Sequence, residues 1–314
     1  MSKIAKRDNA KYSLNSNGSF VIENYNQSKP FCNFFPGIAG VWGVPMWAFY
    51  VNRGQCIASF GIESKDKSVM EFQPANKSYR CTALSGFRTF LKVKKGKKTI
   101  YWEPFQSSLK GTDFNTKQKM YISAHDLTLE EKNEELGLTV KVNFFTLPEE
   151  PYSGLIRRVT IKNDQSKGCE VEVVDGLPVI VPYGLGDWLN KHLSRTVEAW
   201  VKVRNLDNDA PYYQLNVEVD DKPEVTYIKE GNFYFAFNPK KEGLLKPVVE
   251  AAKVFGQATD FIAPEAFLDA DNFKIKKQQT SNRSPAAMTH ETFTIAAKES
   301  EEIISVYGVT HSVE

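Results

Sequence analysis

Histidine and cysteine are scarce in this chain of 314 residues, with four of each. Cys32, Cys56, Cys81 and Cys169 form no CxxC pair and match no zinc-module spacing. Each stands among apolar neighbours in the sequence, as a buried free thiol does. His125, His192, His290 and His311 lie far apart, none with a ligand partner two or four residues on, so no metal site is expected. An excess of charge of one sign is also lacking. Forty basic and 38 acidic residues leave a net charge of +2, which creates no global field for nucleic acid or an anionic membrane. No apolar run approaches the ~20 residues of a membrane helix. The opening residues, Met1-Ser-Lys-Ile-Ala-Lys-Arg7, carry charge without a following apolar stretch, so no signal peptide is read and the cytoplasm is the expected compartment. GxGxxG, GxxxxGK[ST] and GxSxG are all missing, which removes support for dinucleotide, mononucleotide and α/β-hydrolase readings.

What remains is an ordinary globular composition, 41% hydrophobic and 25% charged, with 12% aromatic residues. A chain this long buries roughly 75% of its unfolded surface and needs no disulfide or metal staple. Short β-type runs follow one another almost from end to end. Ser19–Tyr25 is the first clear strand, after the turn residues Asn15-Ser-Asn-Gly18. Met46–Asn52 and Gln55–Gly61 flank Arg53-Gly54 as a hairpin, and Phe87–Val93 with Thr99–Trp102 make another, turning at Lys95-Gly96. Lys119–Ala124, Leu138–Phe145, Gly154–Ile161 and Cys169–Val174 recur at spacings of about 15 to 19 residues, and Cys169, Val171 and Val173 alternate with Glu170 and Glu172 in the period of two of a half-buried strand. Glu198–Arg204, Tyr212–Val219, Asn232–Phe237, Thr289–Ala296 and Glu301–Tyr307 complete the set. Helical patterning is confined to a turn or two at Gly186–Leu193 and at Pro264–Leu268. About a dozen strands with so little helix predict a mainly β fold, a large antiparallel β-sandwich with a few short helices. The division expected is an N-terminal extension over 1–17 and one sandwich domain over 18–314.

Several groups could carry chemistry. Glu130-Glu131 and Glu134-Glu135 read as a solvated, charged hairpin tip, and Glu149-Glu150 as a polar connection between prolines. Asp175 ends a strand before Gly176 and Pro178, where an aspartate commonly caps the turn. The lysine-rich run Lys92–Lys98 spans a hairpin, where lysines discourage edge pairing. The stretch from Asn33 to Gln55 is the most unusual. It crowds Phe34, Phe35, Trp42, Trp47, Phe49 and Tyr50 among glycines and prolines, with Asn52, Arg53 and Gln55 at its end. Rings stack on sugar faces, and planar amides and guanidinium groups hydrogen-bond to hydroxyls; the same rings could instead pack on the sandwich or on another domain. Asp187-Trp188 pairs an acid with an aromatic after a glycine-rich loop, as a sugar-binding edge or as a helix start with a core Trp.

Taken in order, several stretches resemble the opening of bacterial inverting glycoside phosphorylases. They are Phe31-Cys-Asn-Phe-Phe-Pro-Gly-Ile-Ala-Gly40, Met46-Trp-Ala-Phe-Tyr-Val-Asn-Arg-Gly-Gln55, Val69-Met-Glu-Phe-Gln-Pro-Ala-Asn-Lys77, Gly86-Phe-Arg-Thr-Phe90, Asn143–Glu149 with Arg157–Asn163, and Asp175-Gly-Leu-Pro-Val-Ile-Val-Pro-Tyr-Gly184. The group is the cellobiose phosphorylase-like one, formerly glycosyltransferase family 36, and the β-oligoglucan phosphorylases, the β-1,3 type among them, look most similar. The resemblance runs from about Gly18 to Asn238. It implies a galactose mutarotase-like supersandwich placed before a helical linker and an (α/α)₆ barrel. It also implies a parent enzyme that cleaves β-gluco-oligosaccharides with inorganic phosphate as co-substrate, releases α-glucose 1-phosphate and uses no other cofactor. One carboxylic acid protonates the leaving oxygen while phosphate attacks the opposite face. In the group that acid lies in the barrel, which this chain is expected to lack, so no catalytic residue is carried onto it.

The expected partners are the barrel domain, the oligosaccharide and, in the parent, a second copy. Trp42, Trp47, Asn52, Arg53, Gln55, Asp187 and Trp188 become candidates for a domain interface or a sugar edge. The rival classes are a stand-alone carbohydrate-binding module and a mutarotase-like epimerase. The latter calls for a His and a Glu together on sandwich strands, and no histidine here has such company in the sequence.

Overall fold

A computed structural model describes residues 10–35, 46–106, 115–219, 222–271, 273–275 and 277–312. Over these residues the chain is mainly β, in three antiparallel sheets of ten, five and four strands. The ten-stranded sheet runs, in spatial order, Lys11–Leu14, Phe20–Glu23, Thr116–Ile122, Asp126–Asn133, Leu138–Thr146, Ser153–Asn163, Ser300–Thr310, Gly231–Phe237, Tyr212–Leu215 and Val201–Arg204. The five-stranded sheet is Pro247–Val248, Ala287–Ile295, Cys169–Leu177, Arg88–Lys95 and Lys98–Trp102, and the four-stranded one is Cys32–Phe35, Met46–Val51, Ile57–Ile62 and Ser68–Met70.

Alternation explains how these sheets close on one core. Along Leu138–Thr146 the residues Leu138, Val140, Val142 and Phe144 are fully buried, while those between them are more exposed, the period expected of a strand with one face packed. The main apolar cluster draws Val140, Val159 and Ile303 from the large sheet, Leu91, Val173 and Ala287 from the second, and Ala48 and Phe60 from the third. Phe60, Phe87, Phe144 and Tyr307 meet there at ring separations of 5.0 to 6.3 Å. The antiparallel sandwich expected from strand periodicity is thus the architecture observed.

Several local expectations shift. The sheet begins at Lys11, inside the stretch 1–17 set apart as an extension, because Lys11–Leu14 pairs with Phe20–Glu23 across the Asn15–Gly18 turn. Asp126–Asn133 is a full strand, and the hairpin tip lies at 134–137. Glu131 is therefore buried, 2% exposed, rather than solvated. Ala75–Ser85 is a helix, α1, that apolar periodicity does not signal, because its buried residues are Ser78 and Thr82. The Ser78 and Thr82 hydroxyls donate to the carbonyls of Gln73 (3.0 Å) and Ser78 (2.7 Å), which satisfies them where an apolar side chain would otherwise sit. Gly54, at φ +54°, admits this close approach: a Cβ there would stand 2.9 Å from the Ala83 Cα.

The remaining helices are short. They are α2 (Asp187–Val197, interrupted at Leu193), α3 (Ala252–Phe255) and α4 (Glu265–Leu268). Helices α3 and α4 cover the outer face of the five-stranded sheet, packing Phe255 and Phe267 with Phe90, Val174 and Met288. Among the described residues no helix is long and apolar enough to cross a membrane.

Candidate functional site

The candidate residues divide sharply once placed. Trp42 lies outside the described residues. Gln55 is in the core, where its amide donates to Thr89 Oγ1 (2.9 Å) and its Oε1 accepts from Arg157 Nη2 (2.5 Å). Arg157 also donates to Thr89 Oγ1 (3.0 Å) and pairs with Asp175, and Thr89 donates to the other Asp175 oxygen (2.7 Å). Asp175 is therefore no turn cap; it sits within the strand Cys169–Leu177, without solvent exposure, as one member of a buried network. Asn52 is equally inaccessible. Its amide donates to Ser28 Oγ (2.6 Å) and the Lys29 carbonyl (2.9 Å) and accepts from the Phe31 N–H (3.0 Å), which ties the segment 25–31 to the hairpin turn. Arg53 grips the same segment through the Ser28 carbonyl (3.0 Å). These polar side chains are committed to backbone and core, as buried hydrogen-bonding groups must be.

Trp47 is half-buried, edge-on to Phe72 at 5.9 Å, with its indole N–H donating to the Ser64 carbonyl (3.3 Å). Asp187 opens α2 and pairs with Lys191 (2.6 Å) and Lys65 (3.2 Å). Burial opposes its charged form, but the two lysines outweigh burial and hold its carboxyl below the usual aspartate value. Among the described candidates only Trp188 presents an open ring, 59% exposed and stacked on His192 at 4.8 Å.

A cleft that sequence reasoning missed lies between α1, the start of α2 and the segment 179–185. Its volume is about 250 Å³. Ala58, Met70, Ile180, Val181 and Leu185 give it an apolar lining, and Glu71, Gln73, Cys81 and Asn190 supply polar groups. An apolar cavity with a few polar groups is the usual form of a ligand or partner site. The Ser78, Thr82 and Ser85 hydroxyls on its α1 wall are taken up by carbonyls of residues 73, 78 and 81. The chemistry left for an occupant is hydrogen bonding by one carboxylate and two amides, beside the Cys81 thiol. The stretches Val69–Lys77 and Asp175–Gly184 were the available signal, but the cleft needs α1 to exist.

Other expectations are also revised. Of the four thiols only Cys56 is buried, and burial pushes it far up; Cys32 and Cys81 are exposed and Cys169 is intermediate. His290 does have company: its Nε2 lies 2.9 Å from Glu172 Oε1 on the neighbouring strand. Lys92, within the lysine-rich run, is buried and pairs with Glu172 at 3.2 Å. Among the described residues no group of three or more His, Cys, Asp or Glu side chains could hold a metal ion.

No protein-family model matches the chain, and no curated protein matches it. Solved structures with which it aligns include a galactose mutarotase-like protein from Clostridium acetobutylicum (9% identity, 96% of this chain and 98% of that one, TM-score 0.40). Another is a putative aldose 1-epimerase from Escherichia coli K12 (9% identity, 90% and 100%, TM-score 0.38). A polysaccharide lyase aligns at 10% identity over 86% of this chain, with a TM-score of 0.42, and the chain spans only 33% of its length.

Proposed function

We propose that this chain is the N-terminal sandwich domain of a glycoside phosphorylase acting on β-linked gluco-oligosaccharides, and that it is not itself the catalytic part. The observation that supports this reading is where the resembling stretches meet. Gln55, Thr89, Arg157 and Asp175 come from four of them, and Gln55 and Arg157 are 102 residues apart, yet they form a single hydrogen-bonded network. Two of the stretches also line the cleft. On this reading they specify a scaffold and one docking surface, and the acid and the phosphate site belong to a helical barrel seated against the cleft. Inorganic phosphate is the parent's co-substrate, no further cofactor is required, and the setting is the cytoplasm. A second reading, a stand-alone carbohydrate-binding module, draws on the cleft's planar groups Glu71, Gln73 and Asn190 over an apolar floor.

The test is phosphorolysis of β-linked glucose oligomers by this chain, alone and with the barrel domain encoded in the same or an adjacent reading frame. The expected result is no turnover alone and turnover together. Turnover by the chain alone overturns the proposal, and oligosaccharide binding in the cleft with no barrel partner favours the module.

A further inference from the structure

The outer face of the five-stranded sheet is apolar where α3 and α4 cover it and changes character abruptly beyond Ala270. There a trough of about 350 Å³ lies between the sheet and the α4 segment, at the small end of the ~300–1,000 Å³ typical of ligand pockets. Its floor is a grid set by strand register. Lys92 stands opposite Glu172, Glu172 opposite Thr292, and Lys94 opposite Glu170. Leu268 and Asp271 form the wall.

The Lys92–Glu172 half of the floor is held in place from behind. Lys92 is 6% exposed, donates to the Ala270 carbonyl (2.6 Å) and lies 4.3 Å above the Phe267 ring. Glu172 is fixed from both sides, Oε2 by Lys92 at 3.2 Å and Oε1 by His290 at 2.9 Å, and His290 rests edge-on against Phe273. A recognition surface needs this kind of support, since groups locked by their neighbours lose little freedom on binding.

The charges select the ligand. Lys92 pairs with Glu172 and Lys94 with Glu170, so the floor has no net charge, and Asp271 adds one carboxylate to the wall. Three carboxylates against two lysines oppose an anion, and among the described residues no group of three or more His, Cys, Asp or Glu side chains could hold a metal ion. A neutral molecule rich in hydroxyls meets neither obstacle. Carboxylates accept from its O–H groups, and ammonium groups and the Thr292 hydroxyl donate to its oxygens. Rows of such groups at the strand spacing of ~4.8 Å suit the hydroxyls on the two edges of a pyranose ring, with Leu268 against its C–H face.

We propose that this trough binds a neutral hexopyranose unit, at a place on the domain separate from the α1–α2 cleft. The inference stands on the trough's own residues and holds whether or not the chain belongs to a phosphorylase. The test is calorimetric titration of the full chain with a β-linked glucotriose, with glucose 6-phosphate as the anionic comparison and hydrogen exchange to locate the contact. The expected result is binding of the triose, protection of residues 92–99 and 170–172, and at least a tenfold loss of affinity in Glu170→Ala and in Thr292→Ala. Both positions are at the trough's open side, and Thr292→Ala keeps the test valid should Glu170→Ala fold poorly. Lys11→Ala, on the exposed edge strand Lys11–Leu14 of the ten-stranded sheet, is expected to leave the affinity unchanged. Absence of triose binding, tighter binding of the phosphorylated sugar, or protection confined to the α1–α2 cleft would each overturn the proposal.

Discussion

The Arg157 guanidinium and the Asp175 carboxylate form an ion pair at the centre of the molecule, both side chains wholly removed from solvent. Arg157 belongs to the ten-stranded sheet and Asp175 to the five-stranded one, and Gln55 brings the turn of the four-stranded sheet to the same point. The Arg157 guanidinium also lies 5.3 Å from the Phe87 ring, so it is both hydrogen-bonded and packed. Removing one partner of a buried pair strands the other charge, which costs about 3–5 kcal/mol. Arg157→Met and Asp175→Leu are each expected to lower stability by that order. The double variant should lose clearly less than the sum, because no lone charge remains. Urea denaturation of the four proteins, read as a double-mutant cycle, checks this; additive losses would mean that the two residues act separately.

Glu131 gives stability a pH dependence of unusual sign. Burial raises its carboxyl to about 7, although the Phe105 backbone N–H and the Gln118 amide favour its charged form. The folded state therefore holds a proton that the unfolded state releases near its ordinary value of 4.5. The contribution is full below that value and falls as pH rises, until it is lost above about 7. Over the whole window it amounts to about 3 kcal/mol. Glu131→Gln, which cannot ionise, is expected to be more stable than the native chain at pH 8 and to differ little from it at pH 4. Denaturant midpoints at the two pH values decide the matter.

Of the three tryptophans expected to face sugar or protein, the two among the described residues should behave differently. Trp188 is mostly in water, and its loss is expected to change stability by no more than ~0.5 kcal/mol. Trp47 packs on Phe72 and satisfies the Ser64 carbonyl, so Trp47→Ala should cost about 1–3 kcal/mol. Thermal unfolding of the two variants separates the roles. A large loss from Trp188→Ala would show that its ring supports the fold.

These contrasts mark what was legible in the sequence. Strands such as Leu138–Thr146 announce themselves because one face is apolar and the other is not. The helix α1 is silent, since it buries hydroxyls that bond nearby backbone carbonyls, and hydrophobic periodicity does not register Ser78 or Thr82. Glu131 and Asp175 were misread for a related reason. Glu131 reads as part of a solvated tip and Asp175 as a turn cap, because the strand register that turns each inward depends on pairing with strands elsewhere in the chain. The hydrogen-bonding capacity of Asn52, Arg53 and Gln55, which made the stretch stand out, serves the segment 25–31 and the sheet junction. The cleft escaped notice because its walls come from an unsignalled helix and two distant segments.

Cysteine chemistry offers a direct probe of that cleft. Cys81 lines it and is exposed, Cys32 is exposed elsewhere on the strand Cys32–Phe35, and Cys56 is buried with its thiol pushed far up by desolvation. A thiolate is the reactive form, so a native chain treated with a thiol reagent should label Cys32 and Cys81 quickly, Cys169 more slowly and Cys56 only on unfolding. If a barrel domain seats against the cleft, its presence should slow labelling of Cys81 and leave Cys32 unchanged. Conversely, a bulky maleimide on Cys81 should reduce the turnover restored by the barrel at least tenfold, whereas Cys81→Ser treated with the same reagent should retain it. Mass spectrometry of the labelled chain with a phosphorolysis assay measures both. Equal protection of Cys32 and Cys81, or full turnover with Cys81 blocked, would place the docking surface elsewhere on the sandwich.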